Sequence, residues 1–236
     1  MKDLPADKAD PLVPALHRIR SYVLRAGRMS EAQKKAYEAL HERFCIPYQN
    51  KNIEFEEIFA TKRAPVIEIG FGMGQASALI ARENPQIPYL GLEVHKPGVG
   101  RLLWEIENKN LKNIRIIEHD AVEVLEHMIP DNSVAAFHVF FLDPWPKKKH
   151  HKRRLITRPF TNLLASKVSA NGYIYMASDW EDYGFWALEE LTATEGLVNA
   201  YKDFAPRQEW RPETKFERKG LAKEHKVYEL YFIKTP

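Results

Sequence analysis

From Ala64 onward, short β-branched or aromatic runs alternate with longer amphipathic ones, and this alternation constrains the fold more than any other feature. Ala64–Gly70, Tyr89–Val94, Ile114–Asp120, Val134–Leu142 and Gly172–Ser178 read as strands. Helices are expected from Gly74 through Arg82, from Gly98 to Lys109, after Asp120 through Met128, from Arg158 to Ser169 and from Phe185 to Glu195. Residues 197–204 and 227–234 read as two last strands. Strand and helix in regular succession need crossover connections, which lay neighbouring strands parallel. The expected class is therefore α/β, with a doubly wound, mainly parallel seven-stranded sheet. Val134–Leu142 is almost wholly apolar, as a strand covered on both faces should be.

The upstream part has a different pattern. Ser30, with Gln33 three residues on, is a capping-box signature at the head of an amphipathic helix running to Phe44. Ile53–Phe59 reads as a further short helix. Before these, Arg18, Arg20, Arg25 and Arg28 surround Tyr22, which is most simply a solvated helix face. Met1–Pro14 is charged and proline-rich and lacks the apolar centre of a signal peptide. Residues 1–19 are expected to form a mobile arm and residues 20–236 a single domain.

Composition narrows the classes. A chain of 236 residues with 44% hydrophobic and 28% charged residues suits a globular protein with a substantial core. Net charge is only +3, so any affinity for a polyanion depends on local clustering. The single cysteine, Cys45, excludes an internal disulfide and a Cys-rich zinc site, and fits a reducing compartment. A structural thiol is expected there rather than a nucleophile. No apolar run approaches the length that spans a bilayer, so the cytoplasm is the expected location and no membrane partner is expected.

The chemistry concentrates at strand ends. Gly70, Gly72 and Gly74 form a glycine loop between strand and helix, which alone is a weak signal. It suits a tight turn, or the pyrophosphate of a dinucleotide at a helix N-terminus. The third glycine is not in the dinucleotide position, and Glu68, two residues upstream, would repel a pyrophosphate. S-adenosylmethionine carries an ammonium and a sulfonium and no phosphate, so a carboxylate suits it. Glu93 can accept from both ribose hydroxyls, and Asp120 can reach the adenine amino group. Each acid alone could simply cap a helix; three of them beside a glycine loop favour S-adenosylmethionine.

Asp143 ends the apolar strand, where open α/β sheets place their ligands. Pro144 and Pro146 hold a stiff exposed loop around Trp145. Lys147, Lys148, Lys149, His150, His151, Lys152, Arg153 and Arg154 then place six cations and two histidines in eight residues. An acid at a sheet edge beside such a run suggests chemistry on a polyanion. The adjacent histidines are poorly spaced for one metal and no acid or cysteine pattern joins them, so no metal is expected.

These residues resemble the bacterial tRNA (guanine-N7-)-methyltransferase family. The likeness is carried by Glu-Ile-Gly-Phe-Gly-Met-Gly-Gln at 68–75, Gly-Leu-Glu-Val-His at 91–95, Asp-Pro-Trp-Pro-Lys at 143–147, Ser-Asp-Trp at 178–180 and Thr-Lys-Phe-Glu-Arg-Lys-Gly at 214–220. Arg20-Ser-Tyr-Val and Gly27-Arg28 also fit, so the likeness covers about residues 20–236. It implies a Rossmann-like, S-adenosylmethionine-dependent fold, and tRNA as substrate with N7 of the guanosine at position forty-six, in the variable loop, as acceptor. It implies that Glu68, Glu93, Asp120 and Asp143 line the cofactor and catalytic pocket. It puts Lys147, Asp179, Thr214, Lys215, Phe216 and Glu217 at substrate contacts, and Lys149, His150, His151, Lys152, Arg153 and Arg154 against RNA.

Guanine N7 has a free lone pair and no proton, so methyl transfer to it needs positioning and charge stabilisation rather than a general base. Asp143 is the expected catalytic residue, facing the positive charge that the guanine gains. Asp179 is a second acid able to accept from N1 and the amino group, and Trp145 or Phe216 could stack on the base. No obligatory protein partner is expected. A nicotinamide-dependent oxidoreductase would leave the basic run unexplained. A non-catalytic RNA-binding module would leave the three strand-end acids unexplained. A methyltransferase for another nucleic acid would share the cofactor half and differ at Asp143–Lys147 and Thr214–Glu217.

Overall fold

A computed structural model describes residues 19–23, 27–213, 217 and 226–236. The expected mobile arm, with Arg18, and also Arg25, Thr214, Lys215 and Phe216 fall outside these residues, except for Ile19. Seven strands form one sheet: β1 Val66–Ile69, β2 Tyr89–Leu92, β3 Ile114–Ile117, β4 Val134–Phe140, β5 Val168–Ser178, β6 Leu197–Asn199 and β7 Tyr228–Lys234. Their order is β3-β2-β1-β4-β5-β7-β6. The first five are mutually parallel, and β7 runs antiparallel between β5 and β6. The chain starts at the centre, winds outward to β3, then crosses back past β1 to β4. The carboxyl ends of β1 and β4 therefore lie side by side at the switch point, where such sheets bind ligands.

Helices cover both faces. α1 Glu31–Phe44, α3 Gln75–Glu83 and α4 Lys96–Lys109 pack on one face, over Val66, Tyr89, Ile114, Ile116 and Ala136. α5 Ala121–His127, α6 Arg158–Lys167 and α7 Glu181–Thr192 cover Ile67, Ile69, Leu90, Phe137 and Ile174 on the other. This double burial explains why the strand sequences are continuous apolar runs rather than alternating ones. α1 opens with the anticipated capping box: the Gln33 N–H donates to Ser30 Oγ at 3.3 Å, and the Ser30 N–H to Gln33 Oε1 at 2.7 Å. Cys45, which ends α1, is buried, and burial pushes its thiol up to about 12, so it is a packing residue.

Several boundaries depart from the sequence expectation. α2 is only Phe55–Phe59, because Ile53 is spent on the core and its N–H donates to the Met128 carbonyl. β5 starts at Val168, straight out of α6, and a register shift between Val134 and Ala136 absorbs the irregular segment before Gly172. α7 begins at Glu181 rather than Phe185. It runs through Gly184, where a Cβ would sit 2.7 Å from that of Tyr228, so the glycine permits close packing on β7 rather than breaking the helix. β6 stops at Asn199. Ser21 and Tyr22 form a bend within the irregular stretch 19–23, not the solvated helix face expected around Tyr22. The basic run is a 3-10 helix, Lys148–Arg153, rather than a plain loop.

Candidate active site

β1 ends at Ile69, and the chain then turns through Gly70, Gly72 and Gly74 with φ of 71°, 57° and 66°. These left-handed values suit glycine alone at low cost. At Gly70 the space is also closed, since a Cβ would meet Leu142 Cδ2 at 2.8 Å. The loop thus lies against the end of β4 and delivers the chain into α3.

Glu93, just past β2, folds its carboxylate back on this loop. It accepts from the N–H groups of Gly72 at 2.7 Å, Val94 at 2.7 Å and His95 at 2.9 Å. Burial raises the Glu93 carboxyl above the usual range, while the backbone donors of His95, Gly72 and Val94 pull it down. Asp120 caps α5, accepting from the Val122 N–H at 2.8 Å. Glu93, Asp120 and Asp143 all line one cavity of about 220 Å³, with Gly70 in its floor. Ser21 and Tyr22 form part of its wall. Its chemistry is that of a pocket for a cationic nucleoside. A dinucleotide fits poorly, because the Gly72 N–H that would meet a pyrophosphate is already donated to Glu93 and three carboxylates surround the space.

Glu68 is placed differently. It does not line the cavity but lies buried in the sheet, where the Tyr89 hydroxyl donates to it at 2.7 Å. Burial pushes the Glu68 carboxyl up to about 7, against the stabilising Tyr89 hydrogen bond. His138 meets the same hydroxyl at 3.1 Å, and burial drops the imidazole to about 3, so it stays neutral. An acid whose pKa rises on folding holds its proton in the native state while the unfolded chain has lost it, so its burial costs stability progressively as pH rises from the unfolded carboxylate range to about 7. Glu68→Gln should therefore gain stability relative to the native chain between pH ~5 and ~7.5. Denaturant midpoints that keep a constant difference across that window would refute the titration.

Asp143 is exposed at the mouth of the cavity. β4 stops at Phe140 because Phe141 turns left-handed, with φ of 53°, while its N–H still donates to the Ala177 carbonyl at 2.8 Å. Asp179, past the end of neighbouring β5, is also exposed. Lys147, Lys149 and Lys152 are exposed, and His150, His151 and Arg153 are half-buried. Arg154 is not on the surface. It is buried, donating Nε–H to the Pro144 carbonyl at 3.0 Å and pairing with Asp182, with Tyr183 and Trp186 near its guanidinium. Trp145 also has partners: its indole N–H donates to the Ser21 carbonyl at 3.0 Å.

Glu217 is buried beside Arg211, which donates to its two carboxylate oxygens at 2.8 and 2.6 Å. Arg211 also donates to both oxygens of Glu229, at 3.2 and 2.6 Å. Burial raises the Glu229 carboxyl, against the two Arg211 hydrogen bonds that favour its charged form. The sequence reading missed Arg211, Glu229, Ser21 and Tyr22. Arg211 lies in a stretch without helical or strand marks, Glu229 lies in the expected strand 227–234 but nothing local predicts its partner, and nothing local predicts that residues 21 and 22 reach a site built from β2, β3 and β4. Among the described residues, no group of three or more His, Cys, Asp or Glu side chains could hold a metal ion, and no helix is long and apolar enough to cross a membrane.

The same architecture occurs in solved methyltransferases. The 16S rRNA methyltransferase KamB superposes with a TM-score of 0.59 at 16% identity, covering 80% of this chain and 96% of that one. The aminoglycoside resistance methyltransferase NpmB1 gives 0.53 at 15%, covering 80% and 95%. At these identities the likeness is one of fold. A methyltransferase family model, Methyltransf_4, matches residues 62–230. The chain is 50% identical over 216 residues to a tRNA (guanine-N(7)-)-methyltransferase of Nitrosospira multiformis, covering 92% of this chain and 94% of the relative. The protein of that name from Neisseria gonorrhoeae is 46% identical over 234 residues, 98% of each chain. Near-complete coverage at such identity leaves one assignment: the chain belongs to the tRNA (guanine-N(7)-)-methyltransferase family.

Proposed function

We propose that this protein transfers a methyl group from S-adenosylmethionine to N7 of guanosine 46 in the variable loop of tRNA. The observation that carries this reading is the convergence of Glu93, Asp120 and Asp143 on one cavity whose rim continues into the cationic 3-10 helix. When bound, S-adenosylmethionine supplies an electrophilic methyl group. Glu93 accepts from the ribose hydroxyls, Asp120 holds the adenine amino group, and Gly70, Gly72 and Gly74 let the backbone approach closely.

At the mouth, Asp143 faces the guanine as it becomes positively charged, stabilising that charge in a setting less polar than water. Lys147, Asp179, Thr214, Lys215 and Phe216 orient the nucleotide, while Glu217, buried against Arg211, holds that segment to the protein rather than touching the nucleotide. Lys149, His150, His151, Lys152 and Arg153 meet phosphates, while Arg154 holds the loop from beneath. Because the acceptor nitrogen carries a free lone pair, the reaction requires no metal and no general base. The reading puts the protein in the cytoplasm, acting on tRNA without an obligatory protein partner.

Incubation with tritiated-methyl S-adenosylmethionine and unmodified tRNA, followed by nucleoside analysis, tests this. Label should appear in 7-methylguanosine and vanish when guanosine 46 is replaced. Label in another nucleoside, or retained after that replacement, would sink the assignment. The phosphate contacts make a separate prediction. Lys149→Ala and Lys152→Ala should each reduce the slope of log affinity against log salt by about 0.7–0.9. A titration with unaltered slopes would remove both lysines from the RNA interface.

A further inference from the structure

The segment from Phe141 to Leu155 faces two ways. Its ends, Phe141, Leu142, Asp143 and Leu155, line the cofactor cavity, while its middle is the cationic 3-10 helix. Trp145 stands where one face turns into the other. Its φ of 49° is left-handed, costly for a bulky side chain, so its surroundings must hold it there. Proline on either side limits its ways out, and the carbonyl of Pro144 is fixed by buried Arg154 at 3.0 Å. The indole then reaches in two directions. Its N–H donates to the carbonyl of Ser21, part of the cavity wall, at 3.0 Å. Its ring has the Arg153 guanidinium 5.0 Å from the centroid and the His150 ring edge-on at 6.0 Å. One side chain thus ties the cavity wall to two residues of the cationic helix.

We propose that Trp145 is a positioning residue that couples occupation of the cofactor cavity to RNA binding, rather than a platform for the target base. The proposal rests on the methyl-transfer reading above. An Arg153 guanidinium or a His150 ring N–H drawn to a phosphate bears on the indole, and the indole bears on Ser21. Conversely, a ligand that fills the cavity fixes Ser21 and so the helix beyond it. Such coupling must be reciprocal, with one factor for both directions.

The test measures tRNA affinity of the full chain with and without saturating S-adenosylhomocysteine, for the native protein and Trp145→Phe. Phenylalanine keeps an aromatic ring for Arg153 but has no N–H for Ser21. The native protein should bind tRNA at least about 5-fold more tightly with S-adenosylhomocysteine present, and tRNA should tighten S-adenosylhomocysteine by the same factor. Trp145→Phe should reduce both factors to about 2-fold or less. Arg153→Met, which breaks the link from the RNA side and leaves the indole in place, should lose the coupling as well, whatever it does to tRNA affinity itself. A native factor near one, or full coupling in Trp145→Phe, would overturn the proposal. Native protein that forms 7-methylguanosine without coupling refutes this inference alone; native protein that methylates no tRNA refutes the reading beneath it too.

Discussion

Replacing Asp143 with asparagine is expected to cut the rate of methyl transfer by about 10²–10³ at saturating tRNA and cofactor. Asparagine keeps the size of the side chain and removes its charge, turning one acceptor oxygen into an amide donor. Guanine is neutral in the ground state and becomes cationic as the N7–methyl bond forms. That charge is transferred from the sulfonium as the S–methyl bond breaks, so a carboxylate closer to N7 than to the sulfur interacts more strongly with the transition state than with the bound reactants. That difference appears in kcat, whereas uniform binding would appear in KM. Affinity for tRNA should stay within about 3-fold, a change worth less than 1 kcal/mol. Near-native kcat in Asp143→Asn would show that the carboxylate is not stabilising developing charge.

The largest effect on stability should come from Arg211→Met. Arg211 is 1% exposed and holds two buried carboxylates, Glu217 and Glu229. Methionine fills much of the space but leaves both acids without their cation. Breaking a buried pair by removing one partner typically costs about 3–5 kcal/mol. For a chain of this size each kcal/mol shifts Tm by roughly 2–4 °C, so the midpoint should fall by about 6–20 °C. The pH dependence gives the mechanism its own signature. Buried acids deprived of a cation have their pKa values raised, so they bind protons in the native state and cost stability as pH rises. The loss in Arg211→Met should be smaller at pH ~5 than at pH ~8. A loss that is flat with pH would mean that packing, not charge, accounts for the change.

The parallel part of the sheet was legible because periodicity reports burial directly. Val66–Ile69, Tyr89–Leu92 and Val134–Phe140 are covered on both faces and their sequences say so. The strand-end acids were legible for a related reason: polar residues following an apolar run mark where the chain leaves the core. Three of the four expected acids meet in the cavity. Glu68 does not, because a side chain within a strand points to a face of the sheet, and the sequence cannot say which partners wait there. The misread boundaries share one cause, tertiary context overriding local preference: Gly184 inside α7 against Tyr228, and the irregular start of β5 beside Ala136. The cation run was read as one surface, yet Arg154 faces inward to Asp182 and Pro144. Charge density in a sequence does not reveal which member of a run is the anchor. The Arg211 triad joins acids 6 and 18 residues away by a path that no local pattern encodes.

The sheet order also bears on how the chain is made. β6 is synthesised before β7, yet among the named strands its only neighbour in the sheet is β7. The same strand covers the outer edge of β5 along Tyr173–Ser178. While the ribosome is still adding the residues between 199 and 228, β5 is an open edge and β6 has nothing to pair with. At about 5–20 residues per second that interval lasts on the order of seconds. An open apolar edge is a template for the wrong partner, so the growing chain is most prone to aggregate just before β7 emerges. A ribosome stalled in that window should hold the parallel strands already buried and β5 still available for capture.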